Sequence, residues 1–382
     1  MDTPDYCRLR SSARSPVISE SNSKWLWQQV KLRVLVRKAR RVARCLWVGL
    51  LASSGCLWWA KRQLRGNGAV IALAFHRVLD DASYRQTHSL SGTIVRERTF
   101  RELVAYVARE CEPVDLQGTL SGQPCSKLKV TFTFDDGWSD NYTTALPIAQ
   151  ANKVPLTIFV CSELVGKNSP FWPERVVALM RAVEPMHLDS EIYALIESLK
   201  QCPRDVREQY LAKLSEQAFE QGISIEPSSV DGMLSWAEIE EMDRQGVNFG
   251  SHTQTHQILT TVPVETASQE VLESKAAIEG ALNKRCDVFA YPNGNWSSAT
   301  RRILAESGFR LAMTTECGAW NTKCDPLAIP RSNVHEDNLI GLTGRFSPAM
   351  FAYTTIWKAW RATRANSRTG ARAPQQSVSA AV

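Results

Sequence analysis

Residues Lys127 to Asn141 read K-L-K-V-T-F-T-F-D-D-G-W-S-D-N, and this stretch constrains the fold more than any other. Val130, Phe132 and Phe134 alternate with Lys129, Thr131 and Thr133, the period of two expected of a strand with unlike faces. The strand delivers two adjacent carboxylates, Asp135 and Asp136, and then Gly137, which allows a sharp turn. In barrels of parallel strands, catalytic groups gather at such strand ends. An isolated D-D-G is more often an ordinary turn, so the chemical reading needs a second cluster.

That cluster is Phe249 to His256, F-G-S-H-T-Q-T-H, at the end of another strand-like run. The chain has six histidines, and two of them stand here four residues apart. This spacing predicts both imidazoles on one side of a helical turn, with Ser251 and Thr253 available to cap it. One or two carboxylates with two imidazoles suit a divalent ion such as zinc, leaving coordination positions open for water and substrate.

Thr133 to Gly137 (T-F-D-D-G) and His252 to His256 (H-T-Q-T-H) resemble the first two motifs of the polysaccharide deacetylase family, the NodB-homology domain or carbohydrate esterase family four. Phe289 to Gly294 (F-A-Y-P-N-G) is similar to the third, with Ala290 where the family usually has arginine and Asn293 where it usually has tyrosine. The likeness runs from about Val70 to about Val334. It implies a distorted (β/α) barrel of about seven parallel strands and removal of N-acetyl groups from amino sugars of a polysaccharide or a lipid-linked precursor. By the same resemblance Asp136, His252 and His256 would hold the metal, zinc first and cobalt or nickel otherwise. Asp135 would be the general base, and the backbone N–H of Asn293 would face the oxyanion. His335, in V-H-E-D, is the candidate to protonate the leaving amine, with a surface histidine as the competing reading. Ala290 leaves the setting of Asp135 open, and Arg331 is expected at the rim, able to pair with a carboxylate. Trp138, Trp296 and Trp320 are either sugar-stacking or buried. An amide hydrolase with a non-sugar substrate and a non-catalytic glycan-binding scaffold are the alternatives.

The remaining pattern agrees with an α/β barrel. Strands are expected at Ala69–Phe75, Val154–Val160, Val247–Gly250, Cys286–Tyr291, Phe309–Thr314 and Leu327–Pro330, mostly alternating with helices. His76 follows the first of these and is expected to be structural. From Phe171 to Gly222 the apolar spacing is helical and carries no chemical motif, which predicts a helical insertion at about 170–232 within a catalytic domain of residues 66–362.

Charge is uneven. Lys24 to Arg65 holds eleven Lys or Arg and no acid, so the rest of the chain carries 34 cations and 39 acids. Basicity therefore belongs to that segment, and a nucleic-acid-binding domain is not expected. Tryptophans at positions 25, 27, 47, 58 and 59, flanking cations and a short apolar run from Cys45 to Ala60 predict a helical segment, residues 24–65, lying at a membrane surface, with a helical hairpin packed on the catalytic domain and a short spanning anchor as the alternatives. Ser53-Ser54-Gly55 weakens the centre of that run. Residues 1–23 and 363–382 are expected to be disordered. Ten scattered cysteines with no C-x-x-C pair suggest free thiols and the cytoplasmic side of the membrane, with a periplasmic, N-terminally anchored protein as the alternative.

Overall fold

The computed structural model describes residues 20–121, 125–167, 171–183, 189–223 and 228–369. Contacts divide the chain at Leu50 into two compact units. The first contains most of α1 (Glu20–Ser53). No single described helix is long and apolar enough to cross a membrane, although 38–53 and 56–66 pass that test as a broken pair. The break falls at the predicted Ser-Ser-Gly, where Gly55 adopts a left-handed φ of 76°. The expected disorder of residues 1–19 lies outside the described residues; Glu20 to Ser23 are helical.

The second unit begins with α2 (Cys56–Gly66), β1 (Val70–Phe75), β2 (Arg77–Leu79), α3 (Ser83–Gln86), β3 (Ile94–Arg96), α4 (Glu97–Glu110), β4 (Glu112–Pro113) and β5 (Lys129–Phe134). After a π-helical turn at Asn141–Ala145 come α5 (Leu146–Ala151), β6 (Leu156–Val160) and the insertion helices α6 (Trp172–Val183), α7 (Asp189–Lys200) and α8 (Arg204–Glu220). The chain continues through α9 (Trp236–Arg244), β7 (Asn248–Ser251), α10 (Val264–Leu282), β8 (Val288–Ala290), α11 (Ser298–Glu306), β9 (Leu311–Met313) and β10 (Arg331–Asn333). It ends with α12 (Glu336–Leu339), α13 (Pro348–Phe351), a π-helical turn at Ala352–Trp357 and α14 (Lys358–Thr369).

Seven strands pair in parallel in the order β10-β1-β5-β6-β7-β8-β9. Ile329 bridges to Met313 of β9 just before β10 pairs with β1, so one segment nearly closes the barrel. The last strand differs from expectation: residues 326–329 bond to β9, and pairing with β1 begins only at Arg331. The parallel β2–β3 pair was not visible in the sequence, because three-residue strands have no period to read. Helix α14 also runs seven residues past Ala362, into the tail expected to be disordered.

Strand alternation sets the two sides of the barrel. Phe75, Phe132 and Phe134 face the helices and meet Phe100 of α4, with ring centroids 5.2–6.3 Å apart. The opposite sides of the strands form a smaller inner core of Phe159, Val288, Ala290, Leu311, Met313, Trp320 and Ile329. Gly250 is needed there, since a Cβ would lie 2.6 Å from the Phe159 ring. The insertion has a core of its own, built on Val176, Val177, Ile192, Leu199, Leu211 and Leu214 and joined by Trp138. Its return is clamped to the loop after β5, where Ser139 N–H donates to Gly232 O and Leu234 N–H to Gly137 O.

Candidate active site

The C-terminal ends of β5 and β7 are neighbours across β6, and each delivers its cluster to the same end of the barrel. Asp136 Oδ1 lies 3.6 Å from His252 Nε2 and 3.4 Å from His256 Nε2. One donor atom from each of the three falls within 4.8 Å of the others. The local backbone differs from the predicted helical turn. Residues 252–256 are an irregular loop, in which Thr253 and His256 adopt left-handed φ of 67° and 62°. Asp136 does the same at 75°. Such backbone is uncommon for residues with a Cβ and persists where surrounding bonds over-determine it. Glu270 of α10 supplies several, accepting from Gln254 N–H, Thr255 N–H and Thr255 Oγ1.

Proton positions follow from the partners. His252 Nδ1 is 2.7 Å from Ala290 O, a carbonyl that can only accept, so Nδ1 carries a proton and Nε2 is the nitrogen that faces Asp136. Burial pushes the His256 pKa down to about 3, which keeps that ring neutral. Asp136 Oδ2 accepts from Trp138 Nε1 at 3.1 Å, while Oδ1 is buried with no hydrogen-bond donor. Two imidazole Nε2 atoms and one buried carboxylate oxygen thus converge. This donor set fits a divalent cation.

Asp135 is buried and points into the barrel. Arg331 is not at the rim but fully buried, and it grips Asp135 with both prongs at 2.7 Å. Its remaining donors meet Thr133 Oγ1 and Thr314 O at 3.0 Å. Burial alone would raise the Asp135 pKa, but the charge of Arg331, with help from His252 and the paired hydrogen bonds, holds it well below the usual range. β10 therefore supplies the guanidinium that Ala290 of β8 lacks. The sequence carried a partial signal in an arginine at a strand end, but only the barrel register shows where it points.

Asn293 adopts a left-handed φ of 58° in the turn after β8. Its Oδ1 accepts from Lys200 Nζ of α7 at 2.9 Å, which brings a cation of the insertion to the third motif. Phe171, at the start of the insertion, packs edge-on against His256 at 5.0 Å. His335 follows β10 and begins α12, beside β1, whose Ala74 O accepts from Val334 N–H. His76 stands at the end of β1, next to Asp135 in the β1–β5 register. Trp138 and Trp320 are buried, which removes them as sugar platforms. Trp320 pairs with Val70 at the start of β1, away from the strand ends that carry the site. Trp296 is half-buried, and its Nε1 donates to Glu316.

Arg77 escaped sequence reading. It is fully buried, donates to Asp140, Asp231, Thr87, Ser89 and Val230 O, and lies 4.3 Å over the Trp138 ring. Ser89 donates in turn to Glu174, whose pKa burial pushes up to about 8.

A family model described as polysaccharide deacetylase matches residues 122–312, half of the chain. The chain belongs to the polysaccharide deacetylase family. Its parallel barrel resembles that of the Streptococcus pyogenes deacetylase PplD, solved in complex with acetate, with a TM-score of 0.51 and 19% identity over 75% of this chain and 98% of that one. A provisionally named polysaccharide deacetylase of Bacillus anthracis gives 0.50 and 17%, over 75% and 69%. These likenesses speak for the fold. In sequence, the chain is 20% identical over 190 residues to YxkH of Bacillus subtilis (strain 168), whose designation as a polysaccharide deacetylase is itself provisional. The match spans 50% of this chain and 46% of that protein, so the chain covers about half the length of this curated relative. Within the polysaccharide deacetylase family, the departures at Ala290 and Asn293 are met here by Arg331 and by the contact with Lys200.

Proposed function

We propose that this polysaccharide deacetylase family member is a metal-dependent hydrolase that removes N-acetyl groups from amino sugars of a polysaccharide or a lipid-linked glycan precursor. The observation that carries the reading is the pairing of adjacent carboxylates in different settings: Asp135 neutralised by a two-pronged arginine, and Asp136 facing two imidazole nitrogens. Asp136, His252 and His256 would hold zinc, with cobalt or nickel as substitutes. When bound, such an ion acidifies water and polarises the acetamide carbonyl.

The chain's own groups then divide the work. Asp135, oriented by Arg331, would accept the proton of the attacking water. Its low pKa makes it a weak base, so the role suits water that is already acidified. The backbone N–H of Asn293 would face the developing oxyanion, and His335 would return a proton to the leaving amine. Phe171 and the buried Trp138 shield the ligand side of the site from bulk water. The basic segment 24–65 would hold the enzyme at a membrane surface, on the cytoplasmic side, where a lipid-linked glycan is within reach.

The test is acetate release from N-acetylglucosamine oligomers by the full chain, stripped of metal and resupplied with zinc or cobalt. Release that requires metal and disappears in Asp135→Asn and His252→Ala supports the reading. Metal binding without acetate would overturn the substrate, and absence of metal binding would overturn the mechanism.

A further inference from the structure

Helix α2 has two faces. Leu57, Ala60 and Leu64 are buried, the last two within the barrel core. Trp58, Arg62 and Arg65, also at helical spacing, point outward, and Trp58 and Trp59 are 64% and 40% exposed. Two adjacent exposed indoles are unusual on a surface meant only for water. At the other end of the chain, Trp357, Trp360, Arg361 and Arg364 recur at steps of three, one and three and so form one stripe running into α14, with the two arginines exposed and the two indoles half-buried against the barrel core.

These remote segments meet. The Trp59 ring stands edge-on to Trp360 at 4.9 Å, and Trp357 lies 5.1 Å from Trp360. Arg62 sits over Trp58 at 5.6 Å and Arg364 over Trp360 at 4.9 Å. Neither residues 56–66 nor residues 353–369 include an acid. Cations stacked on indoles cover apolar rings with their stems while keeping charge in water, the arrangement that suits a lipid headgroup layer.

We propose that α2 and the α14 stripe form one basic, indole-bearing face that docks on an anionic lipid bilayer, with the C-terminal helix a full partner of the N-terminal segment. Charge complementarity selects an anionic occupant. The acid-free apolar run Cys45–Ser53, continuous in sequence with α2, favours a bilayer over a nucleic acid, which would meet the cations but not the apolar residues. The inference extends the membrane reading of residues 24–65 and is independent of the chemistry proposed for the barrel.

Co-sedimentation of the full-length protein with vesicles tests it, comparing equal mixtures of phosphatidylglycerol and phosphatidylcholine with phosphatidylcholine alone. Arg361 and Arg364 are exposed, so Arg361→Glu/Arg364→Glu can be made without disturbing the core, and an unchanged melting temperature checks this. Each cation near an anionic surface contributes roughly a fivefold factor in binding, so the double reversal lowers binding to the mixed vesicles by at least about 10-fold. A parallel variant, Arg33→Glu/Arg37→Glu, reports on the N-terminal segment alone. If that variant loses binding while the α14 variant binds like the wild type, the N-terminal reading stands and this proposal falls. Equal binding of wild type and α14 variant to mixed vesicles, or retention on duplex DNA without vesicle binding, also overturns it.

Discussion

Two buried arginines serve the two adjacent aspartates, and they do so differently. Arg331, inside the parallel barrel, meets one carboxylate, Asp135, in a balanced two-pronged pair. Arg77, where the insertion returns to the barrel, faces Asp140 and Asp231 directly and Glu174 through Ser89. It reaches Asp136 only through the Trp138 ring beneath it, whose indole N–H holds Asp136 Oδ2. The first site is matched in charge. The second gathers three buried acids around one arginine, with the His88 ring 3.3 Å from Asp231; burial raises the pKa of Asp140 despite Arg77 and pushes that of Glu174 up to about 8. Rigid orientation thus sits with the candidate base, and pH sensitivity sits at the insertion junction.

The largest effect is expected from Arg331→Ala. Losing direct orientation of Asp135 should lower acetate release by about 100-fold or more, and leaving a buried carboxylate unpaired should lower unfolding stability by about 3–5 kcal/mol in a denaturant titration. Arg331→Lys, which keeps charge without the fork, should recover part of both. Near-normal activity in Arg331→Ala would end the claim that this arginine replaces the one missing at Ala290.

Arg77→Met should be comparably destabilising, about 3–5 kcal/mol, because it strands Asp140 and Asp231. Its loss of activity should be smaller, since Arg77 acts through Trp138. Limited proteolysis should find the new cleavage in the insertion, whose core is separate from that of the barrel. Equal activity losses in the two arginine variants would erase the distinction between direct and relayed support.

Trp138→Phe keeps the ring packing and removes the N–H to Asp136. Metal affinity measured against a competing chelator should fall about 10–100-fold, the usual scale for partners of metal ligands. An unchanged affinity would show that Trp138 only packs.

The smallest effect concerns pH. Glu174 keeps its proton up to about pH 8 in the folded chain but ionises near its ordinary 4.5 when unfolded. The folded state therefore binds more protons between these values, and this group lowers stability as pH rises through that window. Glu174→Gln should flatten the decline, gaining stability near pH 8 and little near pH 4. A decline of the same slope in the variant would assign it to other groups.

Much of this was legible in the chain itself. The alternation before Asp135 gave a strand with one face for the helices and one for the barrel, and the spacing of Leu, Val and Ile across 171–222 gave the insertion helices. The H-x-x-x-H pair was read correctly as a cluster and incorrectly as a helical turn, because its geometry depends on Glu270 of the following helix, outside the motif, holding a left-handed loop. Arg331 looked like a rim residue because nothing local says that β10 lies beside β1 with its side chain turned inward. Arg77 gave no signal, since its partners Asp140 and Asp231 are 63 and 154 residues away.

By itself the sequence determined the strand order of chemistry, the two motifs and the acid-free basic segment 24–65, all properties of neighbours along the chain, where period and spacing act. Tertiary structure decided which arginine serves Asp135, how Asp136 is held, and that Trp59 meets Trp360. Each of these rests on side chains brought together by strand register and helix packing, and a charge or ring finds its partner only after those long-range contacts have closed.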